Sequence, residues 1–182
     1  MSDYMRLDWS ALSVPARVVV IADTHAALDP HVAEALASAD AVIHAGDVGG
    51  DAVLAAMEAA SSRHVAVRGN NDVASKWRGA GDPGRLPLQA SIELPGGDLV
   101  VVHGHLHNPA ARRHAVLRRA FPHARAVVYG HSHRQVCERG GTPWLLNPGA
   151  AGRARTFGGA GWLWLSVSAH GAWTVEACRA PP

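Results

Sequence analysis

Several features are scarce or absent in this sequence of 182 residues, and most of these absences exclude a class of protein. The two cysteines, Cys137 and Cys178, lie far apart and form no CxxC pair, which excludes a disulfide framework or a zinc knuckle. No run of about 18 apolar residues is present that would span a membrane. Charged residues make up only 18% and hydrophobic residues 48%, so a disordered chain is excluded as well. The basic residues include a single lysine, Lys76.

The charges are nearly balanced, with 17 basic and 15 acidic side chains and a net charge of +2. Nucleic acid is therefore not the default partner. Asp3, Arg6 and Asp8 would interrupt the apolar core of a signal peptide, so we expect a cytoplasmic protein without a membrane partner. The length predicts a single domain over residues 1–182, with its core at about residues 16–178.

Apolar runs alternate with alanine-rich segments in the first half of the chain. This pattern predicts strands at 17–22, 41–44 and 64–67 and helices at 31–38 and 52–60. Asp29 is expected to cap the first helix and Asp51 the second. The βαβαβ order predicts a parallel sheet covered by helices.

The second half contains more strands and fewer helices. We expect strands at 88–94, 99–102, 126–129, 144–146, 161–167 and 172–177, with one helix from about 109 to 121. These strands are predicted to form a second, mostly antiparallel sheet, stacked on the first with helices outside. Four late tryptophans are expected to pack in the sheets, although exposure of several would favour a homodimer: Trp144, Trp162, Trp164 and Trp173.

Five short polar motifs each follow a predicted strand. They are Asp23-Thr24-His25, Gly46-Asp47, Gly69-Asn70-Asn71-Asp72, His103-Gly104-His105 and Gly130-His131-Ser132-His133. Each motif alone is short enough to arise by chance, whereas their order and their placement after strands make the set specific. Functional groups of α/β folds gather beyond the carboxyl ends of the strands, so we expect one common site.

The side chains of these motifs are suited to metal binding. Aspartate and asparagine supply hard oxygens, histidine supplies nitrogens, and no thiolate is present, a mixture that suits Mn²⁺, Fe or Zn²⁺. Seven such groups are too many for one ion but serve two ions well if one carboxylate bridges them.

The ordered motifs resemble those of the calcineurin-like metallophosphoesterase superfamily, particularly its small single-domain bacterial and archaeal phosphodiesterases. The resemblance extends from about Val18 to Trp173 and includes the segments 43–47 and 147–149. It implies an α/β fold, described as α+β in some schemes, in which two stacked mixed β-sheets are flanked by helices in a four-layer sandwich.

The resemblance also implies a ligand set for two divalent ions, with Mn²⁺ as the first expectation and Fe, Zn²⁺ or Ni²⁺ as alternatives. The first ion would be held by Asp23, His25, Asp47 and His133, and the second by Asp47, Asn70, His103 and His131. The spacing G-H-x-H also fits His105 and His107, so spacing alone leaves both pairs open. The order of motifs in the family selects His131 and His133.

The implied activity is hydrolysis of a small phosphodiester by in-line attack of a metal-bridging hydroxide, with Asp47 and Asn70 at the catalytic centre. Many family members carry, after the motif asparagine, a histidine that protonates the leaving group; this chain has Asn71 there, and an amide cannot act as that acid. His107 or His105 is a candidate to replace it. The residues expected to contact substrate are Arg68, Asn71, His105 and Arg153, with Arg155 as an alternative arginine. Asp72 is expected to orient a neighbouring histidine.

The resemblance also extends to proteins with two other functions. The retromer scaffold subunit resembles this fold but has an impaired metal site, whereas all seven expected ligands are intact here. Repair nucleases share the superfamily but usually carry additional segments, for which 182 residues leave little room. The arginines flanking Val116-Leu117 are expected to form a solvated helix face, although they also suit phosphate backbones.

Overall fold

The computed structural model describes residues 3–153 and 155–181, so the two ends of the predicted domain and Ala154 lie outside the described residues. The strands are β1 (Tyr4–Asp8), β2 (Ala16–Ile21), β3 (Ala41–His44), β4 (His64–Ala66), β5 (Gln89–Leu94), β6 (Gly97–Val102), β7 (Ala126–Val128), β8 (Gln135–Glu138), β9 (Trp144–Pro148), β10 (Gly161–Val167) and β11 (Trp173–Arg179). The α-helices are α1 (Pro30–Ala37), α2 (Asp51–Ala60) and α3 (Arg113–Ala120). Short 3₁₀ turns cover Pro83–Arg85 and Ala110–Arg112.

The first sheet has the strand order β11-β10-β2-β3-β4. Its β2, β3 and β4 are parallel, as the βαβαβ pattern predicts, and β10 runs antiparallel to β2. Alternate residues of β2 enter different cores: Val18 and Val20 pack between the two sheets, while Val19 and Ile21 pack beneath α1 and α2. Because both faces of β2 are buried from Val18 to Ile21, this part of the strand is a continuous apolar run.

The second sheet has the strand order β1-β5-β6-β7-β9-β8. The expectation that it would be mostly antiparallel is wrong, because β1–β5, β6–β7 and β7–β9 are parallel pairs. The predicted strands now numbered β10 and β11 join the first sheet instead, where Leu163 pairs with Val20 and Leu165 with Val18. The edge strands β1 and β8 are not predicted from sequence. Both are short and contain polar residues, and β1 is largely exposed while β8 is mostly partly buried.

The layers stack as the family resemblance implies. One apolar cluster lies between the two sheets, α1 and α2 cover the outer face of the first sheet, and Leu117 of α3 packs on Val100, Val127 and Leu145 of the second. The predicted fold class, two stacked mixed sheets flanked by helices, is confirmed. None of the four late tryptophans is exposed, because Trp164 and Trp173 are buried and the other two are partly buried. They therefore give no support to a homodimer.

The helix ends differ in part from expectation. Asp29 caps α1 by accepting a hydrogen bond from the backbone N–H of His31. Asp51, in contrast, is the first residue of α2, and its carboxylate accepts hydrogen bonds from Trp77 Nε1 at 2.7 Å and the Gly81 N–H at 2.8 Å. Within the described residues, no helix is both long and apolar enough to cross a bilayer.

Candidate metal centre

The polar motifs of both sheets meet at one place in the structure. Asp23, Asp47 and Asn70 follow the parallel strands β2, β3 and β4, so they leave the first sheet at the same edge. His103 and the segment 131–133 follow β6 and β7, which are parallel in the second sheet. The carboxyl ends of the two sheets therefore deliver their side chains to a common cluster.

One group of potential ligands consists of Asp23, His25 and His133, whose ligand atoms all lie within 4.8 Å of one another. His133 Nε2 is 3.5 Å from Asp23 Oδ1 and 3.3 Å from His25 Nε2. The two histidine rings stack with their centroids 5.2 Å apart.

A second group shares Asp23 and adds Asp47 and His103. His103 Nε2 is 3.4 Å from Asp47 Oδ2, 4.0 Å from Asp23 Oδ1 and 3.1 Å from Asn70 Oδ1. Asp47 Oδ2 also lies 3.8 Å from His25 Nε2, so this carboxylate stands between the two groups. The His103 and His131 rings form an edge-to-face contact, with their centroids 5.2 Å apart. All seven predicted ligands thus gather in one cluster.

The Asp23 carboxylate provides a test of whether a cation fits here. Asp23 is fully buried, and among the described residues its Oδ1 has no hydrogen-bond partner. Burial raises the pKa of Asp23 to about 7, and the neighbouring positive charge of His103 only partly opposes this. A buried carboxylate oxygen without a partner is unfavourable unless a cation or donor neutralises it. Surrounded by imidazole nitrogens, Asp23 fits a divalent metal ion.

Asp47 and His103 form a charged pair inside the cluster. Burial would raise the pKa of Asp47, but hydrogen bonds from His103 and Asn71 outweigh it and hold that pKa well below its usual range. Burial would likewise lower the pKa of His103, but the two carboxylates raise it above its ordinary value. His103 Nδ1 donates to the Ala45 carbonyl at 2.8 Å, which directs Nε2 toward the carboxylates.

The backbone is strained where the potential ligands lie. Five of the seven have left-handed φ angles: Asp23 (54°), His25 (48°), Asp47 (55°), His131 (66°) and His133 (57°). Such conformations are uncommon for residues other than glycine and concentrate at functional sites. Two motif glycines allow the ligands to approach the backbone closely. A Cβ at Gly69 would lie 2.2 Å from Asp47 Oδ1, and one at Gly46 would lie 2.7 Å from His103 Nδ1.

His44 joins the first two motifs from beneath the cluster. Its Nδ1 accepts a hydrogen bond from the Gly46 N–H at 3.2 Å, so its Nε2 carries the proton and donates to Thr24 Oγ1 at 2.8 Å. Thr24 Oγ1 in turn donates to the Val48 carbonyl at 2.9 Å. Complete burial lowers the pKa of His44 to about 3, so this ring is a neutral structural group.

Two further polar side chains hold the motif turns. Asp72 accepts hydrogen bonds from the backbone N–H groups of Gly49 and Gly69, both at 2.8 Å, and from Val48 at 3.2 Å. The expectation that Asp72 orients a histidine is therefore wrong, since its carboxylate is used by these turns. Buried Asn147 donates to the Gly130 carbonyl at 2.9 Å and so supports the turn that carries His131 and His133.

The residues predicted to contact substrate lie in different surroundings. Asn71 donates from Nδ2 to Asp47 Oδ2 at 2.7 Å, and partly buried His105 lies beside His103 with ring centroids 5.3 Å apart. Arg68 is paired with Asp3 at 3.1 Å. Arg153 is exposed and lines a surface depression that contains none of the predicted ligands.

His107, expected near the catalytic centre, lies outside the cluster, whereas Arg155, named only as an alternative, lies inside it. The His107 ring packs against Phe121 at 5.7 Å, outside both ligand groups. Arg155, the alternative arginine, enters the cluster, with Nη2 at 3.1 Å from His133 Nε2.

Two charged residues beside the cluster lie outside the sequence motifs. Arg113 is buried rather than on a solvated helix face, and its Nε donates to the Gly104 carbonyl at 3.1 Å, between His103 and His105. Lys76 Nζ donates to Asn71 Oδ1 at 2.7 Å. Neither residue belongs to a motif, although the rarity of lysine in this chain is a signal that could have drawn attention to Lys76.

The family is established by comparison with known proteins. The model of the calcineurin-like phosphoesterase superfamily domain matches residues 17–169. The chain belongs to this superfamily. Among proteins with curated descriptions, none matches this sequence significantly.

Solved structures share the fold at low sequence identity. Vacuolar Protein Sorting 29 (Vps29) from Cryptosporidium parvum has a TM-score of 0.71 at 17% identity, covering 92% of this chain and 98% of that one. A conserved protein described as a predicted phosphoesterase, from Streptococcus pneumoniae, has a TM-score of 0.64 at 22% identity, covering 90% and 89%. Vps29 from Entamoeba histolytica, in complex with Zn²⁺, has a TM-score of 0.65 at 17% identity, covering 90% and 98%.

Proposed function

We propose that this protein is a metal-dependent phosphodiesterase that holds two divalent ions in the cluster. The observation that carries the proposal is the buried Asp23 Oδ1, which lacks a hydrogen-bond partner among the described residues and faces the imidazoles of both ligand groups. The first ion would be bound by Asp23, His25, Asp47 and His133. The second would be bound by Asp47, Asn70, His103 and His131.

Asp47 is the proposed bridging ligand because its Oδ2 lies between His25 Nε2, at 3.8 Å, and His103 Nε2, at 3.4 Å. Its depressed pKa keeps it a carboxylate, the form that binds cations. Divalent ions bound there supply positive charge for the phosphate and lower the pKa of a water molecule, with Mn²⁺ as the first expectation.

The chain's own polar groups then position the substrate. Arg155 reaches the cluster and is suited to bind a non-bridging phosphate oxygen, because a guanidinium matches phosphate geometry. His105 and Asn71 stand at the rim of the cluster, where they would contact a bound diester. Arg68 is paired with Asp3 and Arg153 faces solvent, so neither is directed at the cluster by these contacts.

The proposal is tested by hydrolysis of bis(p-nitrophenyl) phosphate and p-nitrophenyl phosphate after metal removal and reloading with Mn²⁺, Zn²⁺ or Ni²⁺. We expect metal-dependent turnover with a preference for the diester. Asp47→Ala should abolish turnover, whereas His170→Ala, which alters an exposed histidine of a distant turn, should leave it unchanged. Absence of turnover with every metal, or turnover that survives in Asp47→Ala, would contradict the proposal.

A second candidate function is that of a protein-binding scaffold. The observation that favours it is the set of Vps29 neighbours, one of which, from Chaetomium thermophilum, is a complex with a cyclic peptide. On this alternative the metal site would bind ions without supporting turnover. Stoichiometric binding of ions by a protein that hydrolyses neither ester would therefore favour the scaffold function over the phosphodiesterase.

A further inference from the structure

Asn71 cannot donate a proton to the substrate, because an amide is not an acid at ordinary pH, and its orientation is fixed by Asp47. The carboxylate of Asp47 can only accept hydrogen bonds, so Asn71 must present its amide NH₂ group to Asp47 Oδ2, which it does at 2.7 Å. The backbone N–H of Asn71 donates to the other carboxylate oxygen at 2.8 Å. The Asn71 carbonyl oxygen is thereby turned away from Asp47 and is available only as an acceptor.

Lys76 donates a hydrogen bond to the carbonyl oxygen that Asn71 turns away from Asp47. Its ammonium donates to Asn71 Oδ1 at 2.7 Å, which links Lys76 to Asp47 through one amide. An ammonium has three N–H donors, and Asn71 uses one of them. The other two are available to a ligand, because Lys76 is exposed and, among the described residues, its ammonium bonds only to Asn71.

The segment that carries Lys76 is held firmly although its side chain is exposed. The backbone N–H groups of Lys76 and Trp77 both donate to the Val73 carbonyl, at 2.9 and 3.0 Å. The Trp77 ring packs on the apolar cluster beneath α1 and α2, and its Nε1 donates to Asp51. The Arg78 N–H donates to the Gly49 carbonyl at 2.9 Å, two residues beyond Asp47. These contacts fix the base of the Lys76 side chain at the rim of the metal centre.

A small cleft joins Lys76 to the cluster. It has a volume of about 130 Å³ and is lined by His25, Ala26, Gly49, Asn71, Lys76 and Arg78. His25 belongs to the first ligand group, so a ligand in the cleft would extend from the metal centre to the lysine. Two cations and no acidic side chain line the cleft, which therefore favours an oxygen that carries or develops negative charge.

We infer that Lys76 is the catalytic residue that donates a proton to the leaving-group oxygen, at the place where the motif has Asn71 instead of histidine. This inference rests on the proposed phosphodiesterase function. When the bond between phosphorus and the leaving oxygen breaks, that oxygen keeps the electron pair and takes a proton from Lys76 Nζ. The neutral amine then regains a proton from water. An alkylammonium ion is a far stronger acid than an aliphatic alcohol, so the transfer is downhill to an alkoxide.

The inference is tested with methyl phosphodiesters whose leaving groups are p-nitrophenol, phenol and 2-phenylethanol. Lys76→Met should slow release of p-nitrophenol by less than about 3-fold, while release of 2-phenylethanol should fall about 100-fold or more, the usual range for loss of a general acid. In Lys76→Ala, which leaves space for a small amine, added ethylammonium should restore part of the lost rate. Arg78→Met is the matched control, since it removes the other cation of the cleft without touching Asn71, and should slow all three esters alike.

A spectroscopic measurement tests the same contact without relying on turnover. Because Lys76 is the only lysine, ¹⁵N-lysine labelling gives a single side-chain ammonium signal. Inorganic phosphate added to the zinc-loaded protein should shift this signal in a saturable manner, and Asp47→Ala should abolish the shift.

The outcomes separate this inference from the proposed function. If the unmodified protein hydrolyses the p-nitrophenyl ester only with metal, but Lys76→Met slows all three esters equally, Lys76 is not the proton donor and the phosphodiesterase function stands. A greater and selective loss in His107→Ala would assign the donor to His107 and overturn the inference. If the unmodified protein hydrolyses no ester with any metal, the proposed function itself fails.

Discussion

Replacing Asp23 by asparagine should stabilise the metal-free protein at alkaline pH. In the folded chain, burial keeps the Asp23 carboxyl protonated up to a pKa of about 7, whereas the ordinary value is 3.8. Between these pH values the folded state holds the extra proton, so the contribution of Asp23 to stability falls as the pH rises and is fully lost above pH 7. Asparagine does not ionise and avoids this loss.

The size of the effect follows from the shift in pKa. The difference in free energy of unfolding between Asp23→Asn and the unmodified chain should increase by roughly 3 kcal/mol, in favour of the variant, between pH 5 and pH 8. For a chain of this length, that corresponds to roughly 6–12 °C in the midpoint of thermal unfolding. Asparagine keeps an oxygen that can accept from the His131 N–H, which now donates to Asp23 Oδ2 at 2.9 Å.

Divalent metal should narrow the difference in stability between the two proteins at pH 8. At a metal concentration about 100-fold above the dissociation constant, binding of one ion should stabilise the unmodified protein by about 2.7 kcal/mol. Asp23→Asn should gain less, because its neutral amide lacks the negative charge of the carboxylate at the first ion. The assay is urea unfolding of both proteins at pH 5 and pH 8, with EDTA and with Zn²⁺. The reasoning is refuted if the variant is the less stable protein at pH 8 in EDTA, or if Zn²⁺ stabilises both proteins equally.

Two further substitutions test the construction of the site. Gly69→Ala should destabilise the fold and weaken metal binding, because the new Cβ would lie 2.3 Å from the Asp47 backbone nitrogen; isothermal titration with Zn²⁺ should show at least a 10-fold weaker affinity, and unchanged binding would contradict the close approach. Asn147→Ala should leave the carbonyl of Gly130 without its side-chain donor and cost about 1–3 kcal/mol in urea unfolding. A loss below about 0.5 kcal/mol would show that this buried bond contributes little.

The parallel part of the fold can be predicted from sequence because its strands are buried on both faces. In β2, β3 and β4 this burial gives runs of apolar residues, and their motifs follow where the strands end. The edge strands β1 and β8 cannot be found in the same way, since they have no such run. The assignment of β10 to the first sheet depends on pairing with β2, which is distant in sequence and leaves no local pattern.

The ligands of the cluster could be predicted from sequence, whereas the contacts around them could not. Aspartate and histidine in ordered motifs locate the place where the two sheets meet, and the structure brings all seven predicted ligands there. The contacts around the cluster depend on side-chain direction rather than on spacing. The motif context of Asp72 suggests a histidine partner, yet its carboxylate meets backbone N–H groups; Lys76 lies five residues from Asn71 and reaches it only because the intervening segment turns back.

The most direct test of the central claim is anomalous diffraction from crystals grown with Zn²⁺ or Mn²⁺, recorded at the absorption edge of the metal. We predict two anomalous peaks per chain, one beside Asp23, His25 and His133 and the other beside His103 and Asn70, with Asp47 in contact with both. A single peak in the cluster, or peaks elsewhere on the chain with none in the cluster, would contradict the two-metal centre.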